Sequence, residues 1–238
     1  MKMKKRSIRL PQLLFLLMLL FCVALSAVFL IKGVDKKESS AVPAPEVLVI
    51  DPGHGGFDGG AVSDDGSKES DINLAIARKL QITAELLGQR AAMTREDDEP
   101  KSDYASYSEH EDLLRRTQFI NEHPGAVLIS IHQNDFPTSQ PSGAQVYYAG
   151  SAGSEQLGKL CHENLIRLLD PENRRVAAPA PKELYITSHV SCPAVLVECG
   201  FMSNNFEVQK LCSEAYQCSI AVILAGSLLQ YLNESEII

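Results

Sequence analysis

Cysteine is scarce in this sequence, and the cysteines that occur are not closely paired. The 238 residues include six cysteines and no C-x-x-C pair, so neither a disulfide framework nor a cysteine zinc site is indicated. Five of the six follow the apolar N-terminal run: Cys161, Cys192, Cys199, Cys212 and Cys218. We interpret these five as buried thiols that act as small apolar side chains, and a single disulfide bridge stays open.

Positive charge is also scarce beyond the N-terminus. Eight of the 22 basic residues and two of the 30 acidic residues precede Glu46. The remaining segment therefore carries 14 basic and 28 acidic residues, a net charge of about −14. Such an acidic surface argues against nucleic acid and against anionic lipid headgroups as partners of this segment.

Several common enzyme motifs are missing as well. Leu114 and Ile166 stand where an H-E-x-x-H motif would need its second histidine. The stretch GHGGFDGG is neither a Rossmann fingerprint nor a phosphate-binding P-loop, and no G-x-S-x-G nucleophile elbow occurs. The sequence therefore does not indicate a metalloprotease helix, a nucleotide-binding loop or a serine hydrolase of these common types.

The N-terminal region has the pattern of a membrane anchor. A basic stretch, MKMKKRSIRL, precedes nineteen residues, 13–31, in which Ser26 is the only clearly polar side chain. This length is sufficient for a helix to cross a bilayer, and the basic flank predicts that the following chain lies outside the cytoplasm. A cleaved signal peptide is the alternative, since small residues occur at ALS, and export is expected in either case.

Three segments follow from this pattern. Residues 1–31 are predicted to form a cytoplasmic basic end and a single transmembrane signal anchor, and residues 32–45 a polar, proline-containing linker. Residues 46–238 are long enough for one well-buried catalytic domain. The predicted location is the cell membrane, with this domain on the extracytoplasmic side.

Within the domain, short apolar runs alternate with helical patterns. Strands are predicted at VLVI, RAAMT, AVLISIH, AQVYY and AVLVE, with helices between them and a long helix near the C-terminus. Pro52 should end the first strand near Asp51, because proline cannot donate to a sheet ladder. This alternation predicts an α/β fold with a mostly parallel twisted sheet, flanked by helices on both faces.

Polar side chains follow three of these segments at the carboxyl ends of the predicted strands. His54 follows the first strand in a glycine-rich turn, and the third and last strands end in His132 and Glu198. Ligands bind at this edge of an open α/β sheet. Glu69 lies just before the first helix, from where it can reach the same edge. His54, Glu69 and His132 form a two-histidine, one-carboxylate set typical of catalytic zinc sites, and Glu198 is then available as a general base.

Each residue also has an ordinary interpretation when it is taken alone. Glu69 favours a helix N-terminus, Glu198 suits an ion pair at a strand end, and His132 suits a capping role. The remaining histidines have no such context, and we interpret them as surface or loop residues: His110, His123, His162 and His189. Cys199 should face away from Glu198, because side chains alternate along a strand.

Four stretches together resemble a known family. In chain order they are VLVIDPGHGG, KESDINLA, LISIHQND and PAVLVECGFMSN, with further similarity at MTRE around Arg95 and in the helix that contains Arg115. They resemble the signatures of the zinc-dependent N-acetylmuramoyl-L-alanine amidases. The resemblance implies one zinc ion held by His54, Glu69 and His132, with Glu198 as the catalytic carboxylate. It implies hydrolysis of the amide between the lactyl group of N-acetylmuramic acid and L-alanine of the stem peptide.

The resemblance also indicates partners and a subtype. The substrate would be a peptidoglycan glycan strand with its stem peptides, and an unidentified activating protein stays open. VECGF and the single anchor are most similar to the spore-cortex type of this family, which makes muramic δ-lactam with a separate deacetylase. Two other functions stay open: an exported zinc peptidase on a related scaffold, and a catalytically idle module that binds the cell wall.

Overall fold

The computed structural model describes residues 47–99 and 106–235. The predicted membrane anchor and linker lie outside the described residues. Six strands form one sheet in the order β2-β1-β3-β6-β4-β5. Their bounds are β1 Leu48–Pro52, β2 Ala91–Met93, β3 Val127–Asn134, β4 Gln145–Tyr148, β5 Ala178–Pro179 and β6 Ala194–Phe201.

The sheet is mostly parallel, as the sequence predicts. Strand β1 pairs in parallel with both β2 and β3, and β3 pairs in parallel with β6. Only β4 runs antiparallel to its neighbour β6, while the short β5 pairs in parallel with β4. The four strands β2, β1, β3 and β6 therefore bring their carboxyl ends to the same edge.

Helices cover both faces of this sheet. The helices of the described residues are α1 Glu69–Leu86, α2 Glu109–Asn121, α3 Ser154–Leu169, α4 Tyr185–His189, α5 Asn205–Leu211 and α6 Glu214–Ser235. On one face, α1, α3 and α6 bury apolar side chains against those of β1, β3 and β6, including Ile50, Ile129 and Val197. On the other face, Ile120 of α2 and Ile186 of α4 pack with Val49 and Leu128.

Helix α6 has an unusually apolar composition. Within the described residues, its segment Glu214–Glu234 is the only helix whose length and hydropathy would allow it to cross a membrane. Half of that segment is buried inside the fold, where it packs beside α1 and α3. These contacts are those of a core helix, and they explain the apolar composition.

The strand ends differ slightly from the predicted ones. Strand β1 includes Pro52, and the next amide, that of Gly53, donates to the carbonyl of Ile131 at 2.9 Å. Strands β3 and β6 continue past His132 and Glu198, to Asn134 and Phe201. The pairing of β3 with β6 shifts register between His132 and Asn134, which marks a β-bulge beside the candidate site.

Candidate metal centre

Three side chains that can bind a metal meet at the carboxyl edge of the sheet. His54 lies in the turn after β1, Glu69 is the first residue of α1, and His132 lies near the end of β3. One ligand atom from each lies within 4.8 Å of the other two. Glu69 Oε1 is 3.3 Å from His54 Nε2 and 3.2 Å from His132 Nδ1. The described residues contain no other His, Cys, Asp or Glu group of this kind.

Glu69 is buried and its carboxylate is held on several sides. Oε1 accepts from the backbone N–H of Gln133 at 3.0 Å and from Asn73 Nδ2 at 3.3 Å, while Oε2 accepts from the N–H of Ala61 at 3.0 Å. Burial would raise the pKa of Glu69, but His132 and His54 outweigh it and hold the pKa well below its usual range. The carboxylate is therefore ionised, and three hydrogen bonds hold it in place.

His54 is held by a second carboxylate. Its Nδ1 lies 2.6 Å from Asp58 Oδ2, which leaves Nε2 directed at Glu69. Burial would lower the pKa of His54, but the hydrogen bonds to Asp58 and Glu69 raise it to about 10. A metal ion would have to displace the proton on Nε2, so metal binding at this site releases a proton. A carboxylate behind a ligand histidine is the usual way of fixing its tautomer and ring orientation.

Two glycines leave the space that the side chains of this cluster occupy. A Cβ added at Gly53 would lie 2.2 Å from Cε1 of His132, inside the volume of the imidazole. A Cβ at Gly60 would lie 2.6 Å from Glu69 Oε2 and 2.8 Å from Cδ2 of His54. Glycine suits these two positions because the backbone and the side chains of the cluster approach each other this closely.

The backbone of the turn adopts an unusual conformation that buried arginines support. His54 has φ of 61°, the only positive value among the described non-glycine residues. Arg116 of α2 donates to the carbonyls of Pro52 (2.8 Å) and His54, and it forms an ion pair with the fully buried Asp51 at 3.1 Å. The neighbouring Arg115 is largely exposed and bonds to Asp112. The arginine of this helix that contacts the site is therefore Arg116.

Asp51 is the counter-charge of this arginine inside the fold. Burial would raise the pKa of Asp51, but Arg116 and the hydroxyl groups of Thr94 and Ser130 outweigh burial and lower it. Its oxygens accept from Thr94 at 2.6 Å and from Ser130 at 2.8 Å. The four groups come from different segments, so this ion pair and its hydrogen bonds connect β1, β3, α2 and the residue that follows β2 behind the turn.

Glu198 lies beside the three-residue cluster. It stands directly opposite His132 in the parallel pairing of β3 and β6, so both side chains project from the same face of the sheet. Its Oε2 atom is buried and has no hydrogen-bond partner. Burial raises the pKa of Glu198 to about 7. Cys199, the next residue, lies on the opposite face in the apolar core, as predicted. Cys161 is buried as well, but the exposed Cys212 and Cys218 correct the prediction that all five thiols are buried.

A groove lies beside the two histidines of the cluster, and neither Glu69 nor Glu198 lines it. The cavity has a volume of about 240 Å³ and is lined by His54 and His132. The apolar side chains of Leu113, Ile186 and Leu196 line it as well, together with carboxylates of α2 and of the segment before α4. Strand β4 ends at Tyr148 and α3 begins at Ser154, so the connection between them has no inserted helix. This connection lies at the opposite edge of the sheet from His54 and His132, because β4 is antiparallel to β6 and Tyr148 stands opposite Val195 near the amino end of β6.

The other histidines are separate from this site. His110 and His189 are exposed, as predicted, and each packs against the ring of Tyr185. His162 corrects the prediction, because it is only 3% exposed within α3, where its Nε2 lies 2.9 Å from the carbonyl of Arg175. Its sequence position on the inner face of an amphipathic helix was the available signal.

Comparison with known proteins identifies the chain. Residues 48–230 match the family model Amidase_3, N-acetylmuramoyl-L-alanine amidase, and the chain belongs to this family. It is an N-acetylmuramoyl-L-alanine amidase, an enzyme that hydrolyses peptidoglycan.

One curated relative and two solved structures illustrate the similarity. The germination-specific N-acetylmuramoyl-L-alanine amidase of Bacillus subtilis is 35% identical over 196 residues, which cover 79% of this chain and 81% of that protein. The CwlD amidase of Clostridioides difficile, solved in complex with the GerS lipoprotein, is 34% identical with a TM-score of 0.74, covering 79% of this chain and 98% of that one. The amidase AmiC2 of Nostoc punctiforme is 28% identical with a TM-score of 0.67, covering 79% and 97%.

Proposed function

We propose that His54, Glu69 and His132 hold one zinc ion and that Glu198 is the general base and acid of the hydrolysis. The observation that carries this proposal is the convergence of three ligand atoms within 4.8 Å, with Glu198 opposite His132 on the neighbouring strand. Two imidazoles and one carboxylate are a ligand set of catalytic zinc sites that leaves a fourth position open. The glycines at positions 53 and 60 and the carboxylate of Asp58 suit such a site, because they give the ligands room and a fixed orientation.

The cation and the protein side chains would supply different parts of the hydrolysis. Zinc, when bound, lowers the pKa of a water molecule and polarises a carbonyl oxygen. Glu198 accepts the proton that the attacking water loses, and delivers it to the amide nitrogen of L-alanine as the C–N bond breaks. A cation held by its three neighbours would lower the pKa of Glu198 from about 7, so that this carboxylate is ionised at neutral pH and ready to accept a proton.

The groove supports a substrate of matching shape. Its apolar side chains of α2, α4 and β6 lie beside His54 and His132, where the lactyl and alanine groups could pack. We infer that the lactyl–alanine amide lies over the two histidines, with the glycan strand along the edge of the sheet. A peptide bond would meet the same chemical groups, so the bond that is cleaved has to be identified directly.

The first prediction concerns that bond. The full-length chain, solubilised in detergent and supplied with zinc, is expected to release stem peptides with a free L-alanine amino group from purified peptidoglycan. The remaining glycan should carry muramic acid with a free lactyl carboxylate, and mass spectrometry identifies both products. Cleavage within the stem peptide would instead support an exported zinc peptidase, and binding without cleavage would support the idle wall-binding module.

The spore cortex is the proposed setting of this reaction. The support is the 35% identity to a germination-specific amidase and the 34% identity to CwlD. Removal of the stem peptide leaves the bare muramic acid from which δ-lactam can form after a separate deacetylase has acted. The digestion is therefore repeated on cortex and on vegetative peptidoglycan. The CwlD amidase was solved in complex with the GerS lipoprotein, which supports a partner protein for this chain as well.

We further propose that residues 1–31 anchor the enzyme in the membrane, that residues 32–45 are a linker and that residues 46–238 are the extracytoplasmic catalytic domain. The support is the basic stretch followed by nineteen apolar residues, which exceeds the usual length of the apolar part of a signal peptide. Peptidoglycan lies outside the cytoplasmic membrane, so this orientation puts the enzyme beside its substrate.

The second prediction tests the anchor. The mature protein is expected to sediment with membranes, to resist carbonate extraction and to retain the apolar span at its N-terminus. Protease added to intact protoplasts should degrade the domain, because it lies outside. N-terminal sequencing that finds a secreted protein starting near Ala27 would show that the segment is a cleaved signal peptide.

A further inference from the structure

Arg95 is a charged residue that the fold buries beside the metal centre. It follows β2 and is only 8% exposed. Burying a guanidinium group costs free energy unless its donors are satisfied. Four backbone carbonyls satisfy them: Nε donates to Pro52 at 3.0 Å, Nη1 to Asp97 at 3.2 Å, and Nη2 to Gly53 at 3.0 Å and to Ser70 at 2.9 Å. Its nearest carboxylate, that of Asp98, is 3.6 Å away.

Two of these carbonyls adjoin proposed ligands. Gly53 precedes His54, and Ser70 follows Glu69. One nitrogen atom, Nη2, contacts both, so a single group connects the turn after β1 to the start of α1. The chain between them is a glycine-rich loop in which Gly55, Gly56 and Gly60 all have positive φ. Because glycine is conformationally permissive, the spacing of the two proposed ligands depends on the hydrogen bonds that hold this loop. Besides those of Arg95, they include the bonds from the N–H of Glu69 to Ala61 (2.9 Å) and from the N–H of Ser70 to Gly59 (3.1 Å).

The loop is also shaped around the arginine. A Cβ added at Gly55 would lie 2.7 Å from Nε and 2.9 Å from Cζ of Arg95, so the guanidinium fills the space beside that glycine. Arg116 has a different set of contacts, since it supports Pro52 and His54 and pairs with Asp51 but does not donate to α1. Asn73 also joins the two segments, through longer bonds to Gly53 (3.2 Å) and Glu69 (3.3 Å).

We propose that Arg95 is a positioning residue of the metal centre, which sets the spacing of His54 and Glu69 by holding Gly53 and Ser70 on one nitrogen. The inference rests on the proposed metal site. Lysine keeps the charge but has no planar group that can reach Pro52, Gly53, Asp97 and Ser70 together. Because Asn73 still joins the same segments, loss of Arg95 should weaken metal binding without abolishing it.

The third prediction compares three full-length variants with the wild type. R95M removes all the donors but keeps an unbranched side chain, R95K keeps the charge, and R174M is the matched control. Arg174 also donates to a backbone carbonyl, that of Pro171 at 2.9 Å, but it is exposed and far along the chain from the site. The zinc dissociation constant is measured by competition with a chromophoric chelator. Cobalt(II) absorption spectra report the geometry of the ligands, and melting temperatures are taken on metal-stripped proteins.

R95M is expected to raise the zinc dissociation constant roughly 10–100-fold, the usual effect of losing a group that orients metal ligands. Its cobalt spectrum should differ from that of the wild type, R95K should lie between the two, and R174M should match the wild type. A purely structural role would lower the melting temperature of the metal-stripped protein and leave the metal affinity of the folded protein unchanged, which overturns the proposal. If R95M does not fold, the test is made with R95K. A zinc dissociation constant and a cobalt spectrum equal to those of the wild type in R95K would then overturn the proposal.

The wild type separates this inference from the proposed function. If the wild-type chain binds no zinc, the proposed metal centre is excluded, and the proposed role of Arg95 is excluded with it. If the wild-type chain binds one zinc ion and the R95M and R95K variants have unchanged zinc affinity and cobalt spectra, only the proposed role of Arg95 is excluded.

Discussion

Replacing Glu198 with glutamine (E198Q) is expected to lower the turnover number roughly 10²–10⁴-fold, the usual contribution of a general acid–base group. Glutamine has the same size but cannot take a proton from water. Oε2 of Glu198 has no hydrogen-bond partner, so the amide should fit without breaking a contact there. Turnover is measured on purified peptidoglycan, zinc content by elemental analysis, and the fold by its melting temperature, and we expect the last two to be unchanged.

A glutamate outside the site provides the control for E198Q. Glu163 is exposed on α3, and E163Q should keep the wild-type rate. An E198Q variant with wild-type turnover would remove Glu198 from the chemistry. An E198Q variant that has lost its zinc would instead place Glu198 among the groups that hold the metal.

Removal of either histidine of the cluster should abolish both metal binding and activity. In H54A and H132A, one of three ligand atoms is lost, and Glu69 keeps only one imidazole beside its buried carboxylate. Catalytic zinc sites normally need three protein ligands. Elemental analysis of the purified variants should fall from one zinc per chain to almost none, and peptidoglycan should stay undigested.

His123 offers a matched control for these two variants. It lies just beyond α2, where its ring contacts the carbonyl of Phe119 at 2.7 Å and not the metal centre. H123A should keep both zinc and activity. Full zinc content in H54A and in H132A would exclude the proposed ligand set.

The sheet and the proximity of the site residues could be predicted because they depend on local patterns. Apolar runs such as VLVI and AVLISIH mark strands that are buried on both faces, and alternation with helices makes the strands parallel. Parallel strands bring their carboxyl ends to one edge, which is why residues as far apart as His54 and Glu198 could be placed together. The sequence predicts that β3 and β6 end at His132 and Glu198, which is too early. Pairing and burial continue as far as Phe201.

Other features depend on contacts that local patterns do not contain. The antiparallel direction of β4 is set by its pairing with β6, and the side-chain periodicity of a short strand is the same in either direction. The positions of Arg95 and Arg116 depend on carbonyls 25 to 64 residues away along the chain. Helix α5 is too short for a periodic signal, and its capping by Asn204 was the only local sign. These residues could be interpreted only once the fold had brought their partners together.

Gly53 and Gly60 change how an active member of this family can be recognised from its sequence. A chain with both histidines and both glutamates, but with alanine at either glycine position, would retain every proposed ligand and still be unable to place them. At the first position the methyl group would lie 2.2 Å from Cε1 of His132, and at the second it would lie 2.6 Å from Oε2 of Glu69. Residue identity at the four polar positions is therefore an incomplete criterion for catalytic competence. In this fold, the proposed site needs glycine at positions 53 and 60 as well as the four polar residues.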